Sequence, residues 1–218
     1  MSPLQLITTE DGSHSIYNPD LKEHYHSTHG AIQESRHVFV EAGLNEVRKT
    51  KTAIRILEIG FGTGLNCLLS AIESLEKGLS IEYTSLEPFP LSDHLISLLN
   101  YPETLGHGDL FNLMHSTDQG ELSITGNFLL HRSRESLLTF LPPVKYELIY
   151  FDAFAPDVQP ELWSEAVFQK LFDCLVPGGL LVTYCAKGQV KRNMKKAGFR
   201  IERLPGPPGK REMTRGIV

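Results

Sequence analysis

The sequence predicts an α/β fold built on a mostly parallel sheet, and three observations carry the prediction. Short apolar runs alternate with longer amphipathic stretches from about residue 52 to residue 218. One of these runs, Tyr146–Phe151 (YELIYF), is apolar enough to be covered on both faces, as a central strand of a parallel sheet is. A glycine-rich loop separates the first run from the amphipathic stretch behind it, the arrangement of a strand turning into a helix.

In chain order, Ala53–Ile59 (AIRILEI) reads as a buried strand and 65–75 as the helix after it. Ser80–Leu86 (SIEYTSL) is the second strand, 91–100 the next helix, 126–131 (GNFLLH) the third strand and Tyr146–Phe151 the fourth. A helix over 160–175 then meets Pro177-Gly178-Gly179, which turns into a fifth strand at 180–185. The helix 189–197 stops at Gly198, and 199–204 and 215–218 close the sheet around the Pro/Gly-rich turn 205–209, giving seven strands. The first fifty residues differ. Two short runs, 4–9 and 13–17, flank the turn signal Glu10-Asp11-Gly12 and predict a small β-hairpin. The stretch beyond it holds Tyr25, His26, His29, Glu34, Arg36, His37 and Phe39. That content is polar and aromatic-rich for a tail, so residues 1–50 are read as an extension packed over a domain spanning 51–218.

Composition narrows the function. The chain has 218 residues, 41% of them hydrophobic and 22% charged, enough to bury one core. No window approaches the ~18 apolar residues of a membrane span, and the first residues lack the basic end and apolar run of a secretory signal. Cys67, Cys174 and Cys185 form no CxxC pair, which speaks against a disulfide scaffold or zinc ribbon and for buried thiols in a reducing cytoplasm. His24, His26 and His29 form an HxHxxH run, but no acid partner accompanies it, so surface or lid histidines are expected and no metal site. The net charge of −5 is uneven: residues 187–218 hold ten basic side chains and two acids, a local +8, which leaves −13 for the rest. A basic end on an acidic body suggests a patch for a polyanion, with a solvated helix face as the plainer alternative.

The stretch Leu57-Glu58-Ile59-Gly60-Phe61-Gly62-Thr63-Gly64-Leu65-Asn66 is the most informative. Glycines there permit a sharp turn and close approach of a ligand to the backbone. The dinucleotide fingerprint GxGxxG would need glycine at Leu65, so a nicotinamide enzyme is disfavoured. Glu87 stands at the tip of the second strand, where a carboxylate can accept two ribose hydroxyls. Asp152, in Phe151-Asp152-Ala153-Phe154-Ala155-Pro156, follows the fourth strand and therefore lies at the ligand-binding edge of such a sheet. A carboxylate there could orient an amine and take its proton, or could simply cap the following turn.

The Glu-x-Gly-x-Gly-x-Gly spacing resembles that of class I methyltransferases that bind S-adenosylmethionine. The resemblance implies a Rossmann-like fold whose seven-stranded sheet has an antiparallel last strand. Glu58, Gly60, Gly62, Gly64 and Asn66 would cradle the amino-acid part of the cofactor, and Glu87 would hold its ribose. Arg132 stands where that family often places an acid near the adenine amine, which leaves adenine to backbone groups or to Ser133. A more specific resemblance rests on Glu34-Ser35-Arg36-His37-Val38-Phe39, the glycine loop, Asp152-Ala153-Phe154-Ala155-Pro156, Pro160-Glu161-Leu162-Trp163 and Gly209-Lys210-Arg211-Glu212-Met213. This set is similar to the tRNA methyltransferase family that completes 5-methylaminomethyl-2-thiouridine at the wobble position. In some bacteria that activity is half of a bifunctional enzyme with an FAD-dependent oxidase. No second fingerprint is present here, so the stand-alone form is expected, without FAD.

What this resemblance implies is methyl transfer from S-adenosylmethionine to the 5-aminomethyl amine of the wobble uridine, in the cytoplasm and away from membranes. Asp152 would be the catalytic base. Glu34 would lie on the substrate side, Tyr25, Phe154 or Trp163 would stack on the base, and Lys187, Lys191, Lys195, Lys210 and Arg211 would hold phosphates of the anticodon stem-loop. His26 and His29 would belong to a segment closing over the cofactor. Two competing readings remain: an aminopropyltransferase or other small-molecule transferase on the same fold, disfavoured by the basic end, and an RNA-binding module with a dead cofactor site, disfavoured by the intact Glu58, Gly60, Gly62, Gly64, Glu87 and Asp152.

Overall fold

The computed structural model describes residues 2–218; Met1 lies outside them. A three-stranded antiparallel sheet comes first, made of β1 (Gln5–Thr8), β2 (His14–Asn18) and β3 (Glu23–His24). Its first turn forms at Asp11-Gly12: Gly12 takes φ +81°, and the Asp11 carboxylate accepts the Ser13 amide at 3.0 Å. The third strand, Glu23–His24, was not foreseen; two residues are too short to show a period. Residues 31–47 are helical throughout, as α1 (Ala31–Ser35), a π-helical run Arg36–Leu44, and α2 (Asn45–Val47). Within that run Gly43 presses on the main sheet. A Cβ there would sit 3.1 Å from Val182 and 3.3 Å from Leu148 and Tyr150, a tight fit that glycine avoids.

The main sheet runs β4 (Ala53–Ile59), β5 (Ser80–Leu86), β6 (Gly120–Thr125), β7 (Phe128–Ser133), β8 (Tyr146–Phe151), β9 (Leu175–Thr183), β10 (Arg200–Pro205) and β11 (Glu212–Ile217) in the chain. In space the order is β10-β11-β9-β8-β4-β5-β7-β6. Pairings among β7, β5, β4, β8 and β9 are parallel, and β11 is antiparallel to both of its neighbours. All seven foreseen strands are present. An eighth, β6, is added antiparallel on the β7 edge, through a turn at Gly126-Asn127.

Helices deviate from expectation where local chemistry interrupts them. α3 (Leu65–Lys77) follows the glycine loop and ends at Gly78, whose φ of +64° makes a left-handed cap. The expected helix over 91–100 is only α4 (Asp93–Ser97), capped by Ser92. Two short helices follow, α5 (Tyr101–Leu105), with Pro102 in its first turn and Gly106 at its end, and α6 (Gly108–Met114). The expected helix over 160–175 breaks at Ser164. A 3-10 turn (Pro160–Trp163) precedes it, and α7 (Glu165–Cys174) starts there because the extended Ser164 accepts the Val167 amide with its hydroxyl. α8 (Gly188–Lys196) completes the set.

Alternation along the central strands splits the core in two. Leu148 and Tyr150 face Ile54, Ile56, Leu68 and the π-helical Phe39, whereas Ile149 and Phe151 face Leu57, Ile59, Phe168 and Val190. Helices from both ends of the chain thus cover both faces, and the carboxyl ends of β5, β4 and β8 stay open along one edge. That edge is where the strand order reverses direction, the place such sheets bind ligands.

Candidate active site

A cavity of about 430 Å³ opens at the carboxyl ends of β4, β5 and β8. Its floor is the glycine loop. Gly60, at φ +90°, has no room for a side chain, since a Cβ would lie 2.8 Å from the Asp152 carbonyl oxygen. Gly62, at φ +50°, passes under the Tyr25 ring, which would be 3.1 Å from a Cβ. Gly64 is left-handed as well, but it turns away from the cavity and packs on His115 and Phe61.

Glu87 forms one wall. Its carboxylate accepts the amides of Gly62 and Phe89, each at 3.0 Å, and so ties the tip of β5 to the glycine loop. Burial raises its pKa, and those two amides oppose the rise. Asp152 lies across the floor. Burial pushes it up to about 7, with Glu34 adding to the rise and Asn66 and Lys210 opposing it. The Asn66 side-chain amide donates to Asp152 at 2.8 Å and to Glu58 at 3.2 Å. Glu58 itself is fully buried under the loop, accepts the Ser85 hydroxyl at 2.8 Å and does not reach the cavity. Burial and the nearby Asp152 push it up to about 8. Asn66 therefore bridges a hidden carboxyl to an accessible one, and its own oxygen is buried without a partner.

The N-terminal segment supplies the facing wall. Tyr25 stands edge-on to Phe154, with ring centroids 5.1 Å apart, and burial beside Glu87 pushes its hydroxyl up to about 12. His26 bonds the Thr63 hydroxyl at 2.6 Å, and burial lowers it to about 4, so it is neutral at pH 7. Glu34 is buried, accepts the Ser27 amide at 2.7 Å and pairs with Lys210 at 2.5 Å. The Lys210 ammonium also lies 4.1 Å from the centre of the Tyr184 ring.

Several expected positions lie elsewhere. Ser133 does not line the cavity; its hydroxyl accepts the Glu135 amide, and Ser136, Leu137 and Leu138 stand at that end instead. Arg132 lies over the Phe61 ring and donates to the carbonyls of Met114 and Thr117. Trp163 is core, with its indole N–H on the Phe154 carbonyl. Lys191 is nearly buried and paired with Glu212 at 3.0 Å, whereas Lys187 pairs with Asp157; Lys195 and Arg211 are exposed. The three histidines of the HxHxxH run diverge: His24 lies tilted against Tyr17, His26 meets Thr63 and His29 meets Glu10. Reasoning from sequence alone overlooked Tyr184 and the bridging role of Asn66, because an asparagine in a helix and a tyrosine after a strand carry no spacing signal.

The relatives of this chain fit this geometry. Residues 128–218 match the family model of S-adenosyl-L-methionine-dependent methyltransferases. The chain is 31% identical, over 98% of its length, to the tRNA 5-methylaminomethyl-2-thiouridine biosynthesis bifunctional protein MnmC of Cupriavidus metallidurans, of which it covers 34%. It is 32% identical, over 88% of its length, to the protein of that name from Pseudomonas paraeruginosa, of which it covers 32%. It thus spans about a third of the length of these curated relatives. Among solved structures, MNMC2 of Aquifex aeolicus superposes with a TM-score of 0.78 at 26% identity, over 99% of this chain and 70% of that one. A spermidine synthase from Thermotoga maritima, at 12% identity and a TM-score of 0.52, shares the fold alone. These matches make the chain a homologue of part of the tRNA 5-methylaminomethyl-2-thiouridine biosynthesis proteins, built on the class I methyltransferase fold.

Proposed function

We propose that this chain transfers a methyl group from S-adenosylmethionine to the 5-aminomethyl amine of a wobble uridine or 2-thiouridine in tRNA. The observation that carries the reading is Asp152, an accessible carboxyl pushed up to about 7, at a strand end beside a glycine-floored cavity. The cavity suits a cationic cofactor: among the described residues, Glu34, Glu87 and Asp152 line it against the cation Lys210. Gly60 and Gly62 would leave the backbone open to its amino-acid part, and Glu87 would hold its ribose. When bound, S-adenosylmethionine supplies an electrophilic methyl group on a sulfonium sulfur.

The chain's own residues do the rest. A primary alkyl amine arrives protonated near neutral pH, as lysine is. Asp152 attracts that ammonium and accepts its proton, directly or through water, which frees the nitrogen lone pair. The freed lone pair would accept the methyl group that bound S-adenosylmethionine supplies, with S-adenosylhomocysteine as the second product. The methylated amine then gives up its extra proton to water. Glu58 acts through Asn66, which holds the Asp152 carboxylate in place, so both are positioning residues. Tyr25, His26 and their neighbours serve as a cover that keeps water from the reacting atoms, and Phe154 flanks the base. Lys195 and Arg211 meet phosphates of the anticodon stem-loop. Supporting this reading is similarity along most of this chain to about a third of proteins named for 5-methylaminomethyl-2-thiouridine biosynthesis.

The test is transfer of labelled methyl from S-adenosylmethionine to tRNA from cells lacking this gene, followed by nucleoside analysis. Label in the methylaminomethyl nucleoside is expected; label absent from tRNA, or present on another nucleoside, refutes the proposal.

A further inference from the structure

Lys210 belongs to the basic end of the chain, yet its ammonium turns inward. It pairs with the buried Glu34, caps the face of the Tyr184 ring, and shares the cavity with Asp152, whose charge it influences. Tyr184 is held for this contact by its hydroxyl, which donates to the Ala153 carbonyl at 2.9 Å. A carboxyl and an aromatic face around one point make a seat for a compact cation that carries several N–H donors, and Asp152 lines the same cavity beyond ion-pair distance of Lys210. Lysine presents a primary alkyl ammonium, the same group an aminomethyl substrate presents. We infer that Glu34 and the Tyr184 ring form a seat for a primary ammonium on the cavity that Asp152 also lines, that Lys210 is its built-in occupant, and that the acceptor amine enters by exchanging places with Lys210.

The inference deepens the proposed methyl transfer and rests on it for the identity of the entering amine. Exchange of one ammonium for another leaves the charge of the cavity unchanged. The buried Glu34 carboxyl is never left without a cation, which would be costly. The outgoing side chain has a route, since Lys210 is about one third exposed and rides on the turn between β10 and β11. A substrate with a neutral or bulky quaternary group in place of the primary ammonium could not make the exchange, so the seat selects the chemical class of acceptor.

Calorimetric titration of the whole chain with ethylammonium chloride tests the seat without tRNA or methyl transfer. Wild type, with its seat filled, is expected to bind the ion weakly. Lys210→Met keeps the stem and removes the ammonium, and is expected to bind it at least tenfold more tightly. Adding Glu34→Gln should return affinity to the wild-type level, and tetraethylammonium should show no such gain in any of the three proteins. If Lys210→Met does not fold, Lys210→Gln retains a donor to Glu34 and carries the same expectation. Equal affinity in wild type and the variant, or tight binding that survives Glu34→Gln, overturns the inference. Because no methyl transfer occurs here, failure of the seat and failure of the transfer reaction are read separately.

Discussion

Glu58→Gln exposes the energetic cost of the hidden carboxyl. Glu58 is 0% exposed, and its oxygens meet the Ser85 hydroxyl and the Asn66 amide, with the Tyr83 hydroxyl and Asp152 close by. Burial, and then the Asp152 charge, raise it from 4.5 to about 8. Between those values the folded chain holds a proton that the unfolded chain has released. Stability therefore falls as pH rises from about 4.5 to about 8 and levels off above that. At ~1.4 kcal/mol per pH unit the full gap is a ceiling of ~5 kcal/mol. Relaxation of the site, and sharing of the proton loss with Asp152, reduce the expected effect to ~2–3 kcal/mol. Glutamine has nearly the same shape and no charge to bury, and the Ser85 hydroxyl can reorient to accept from it. Urea unfolding of wild type and Glu58→Gln at pH 5.5 and pH 9 should show the variant gaining ~2–3 kcal/mol on wild type across that interval. Parallel pH profiles, or a variant equally destabilised at both values, would refute the argument that Glu58 is buried against its charge.

Asp152→Asn should fold and bind S-adenosylmethionine but lose ~10²–10⁴-fold in transfer rate, the usual scale of a general base; near-normal turnover sinks its assignment. The wild-type rate should rise as Asp152 ionises at a pH of about 7, and the variant should depend on pH more steeply, because only free amine reacts. Glu87→Ala should weaken cofactor binding by ~1.5–3 kcal/mol, the scale of hydrogen bonds to a charged group, and calorimetry showing unchanged affinity in a folded protein would remove Glu87 from the site. Lys195→Glu with Arg211→Glu should weaken tRNA binding and flatten its log–log salt slope by about two while leaving cofactor affinity intact. Lys191→Glu is expected instead to cost stability, since Lys191 is nearly buried against Glu212.

The main sheet was legible because its strands announce themselves twice, by apolar runs and by the glycines and prolines between them. The site was legible where chemistry forces a residue type. Only glycine fits at Gly60 against the Asp152 carbonyl, and acids at strand tips are exposed by topology to whatever binds there. What stayed hidden depends on side-chain direction. Lys191 and Lys195 are both lysines of α8, four residues apart, yet one is paired with Glu212 and the other is exposed. Ser133 is on the expected strand but bonds its own turn. Antiparallel β6 escaped notice because an edge strand is half polar and Glu121-Leu122-Ser123 reads equally well as loop. The inward turn of Lys210 is a contact across 176 residues, beyond any local pattern.

That separation also sets the order in which the protein can be assembled. Glu34 and Arg36–Leu44 are synthesised early, but their partners come from β11 and the turn before it: Lys210 for Glu34, and Arg215 for the Ala42 carbonyl and Glu46. Until those residues leave the ribosome, the N-terminal segment can pack on Leu148, Tyr150 and Val182 and bond Thr63 through His26, but the Glu34 carboxyl of the facing wall lacks its partner. Closing so long a loop makes the clasp a late event in folding, after the local β–α units have formed. A nascent chain that has made its glycine loop therefore still lacks the Glu34–Lys210 pair of the finished cavity wall.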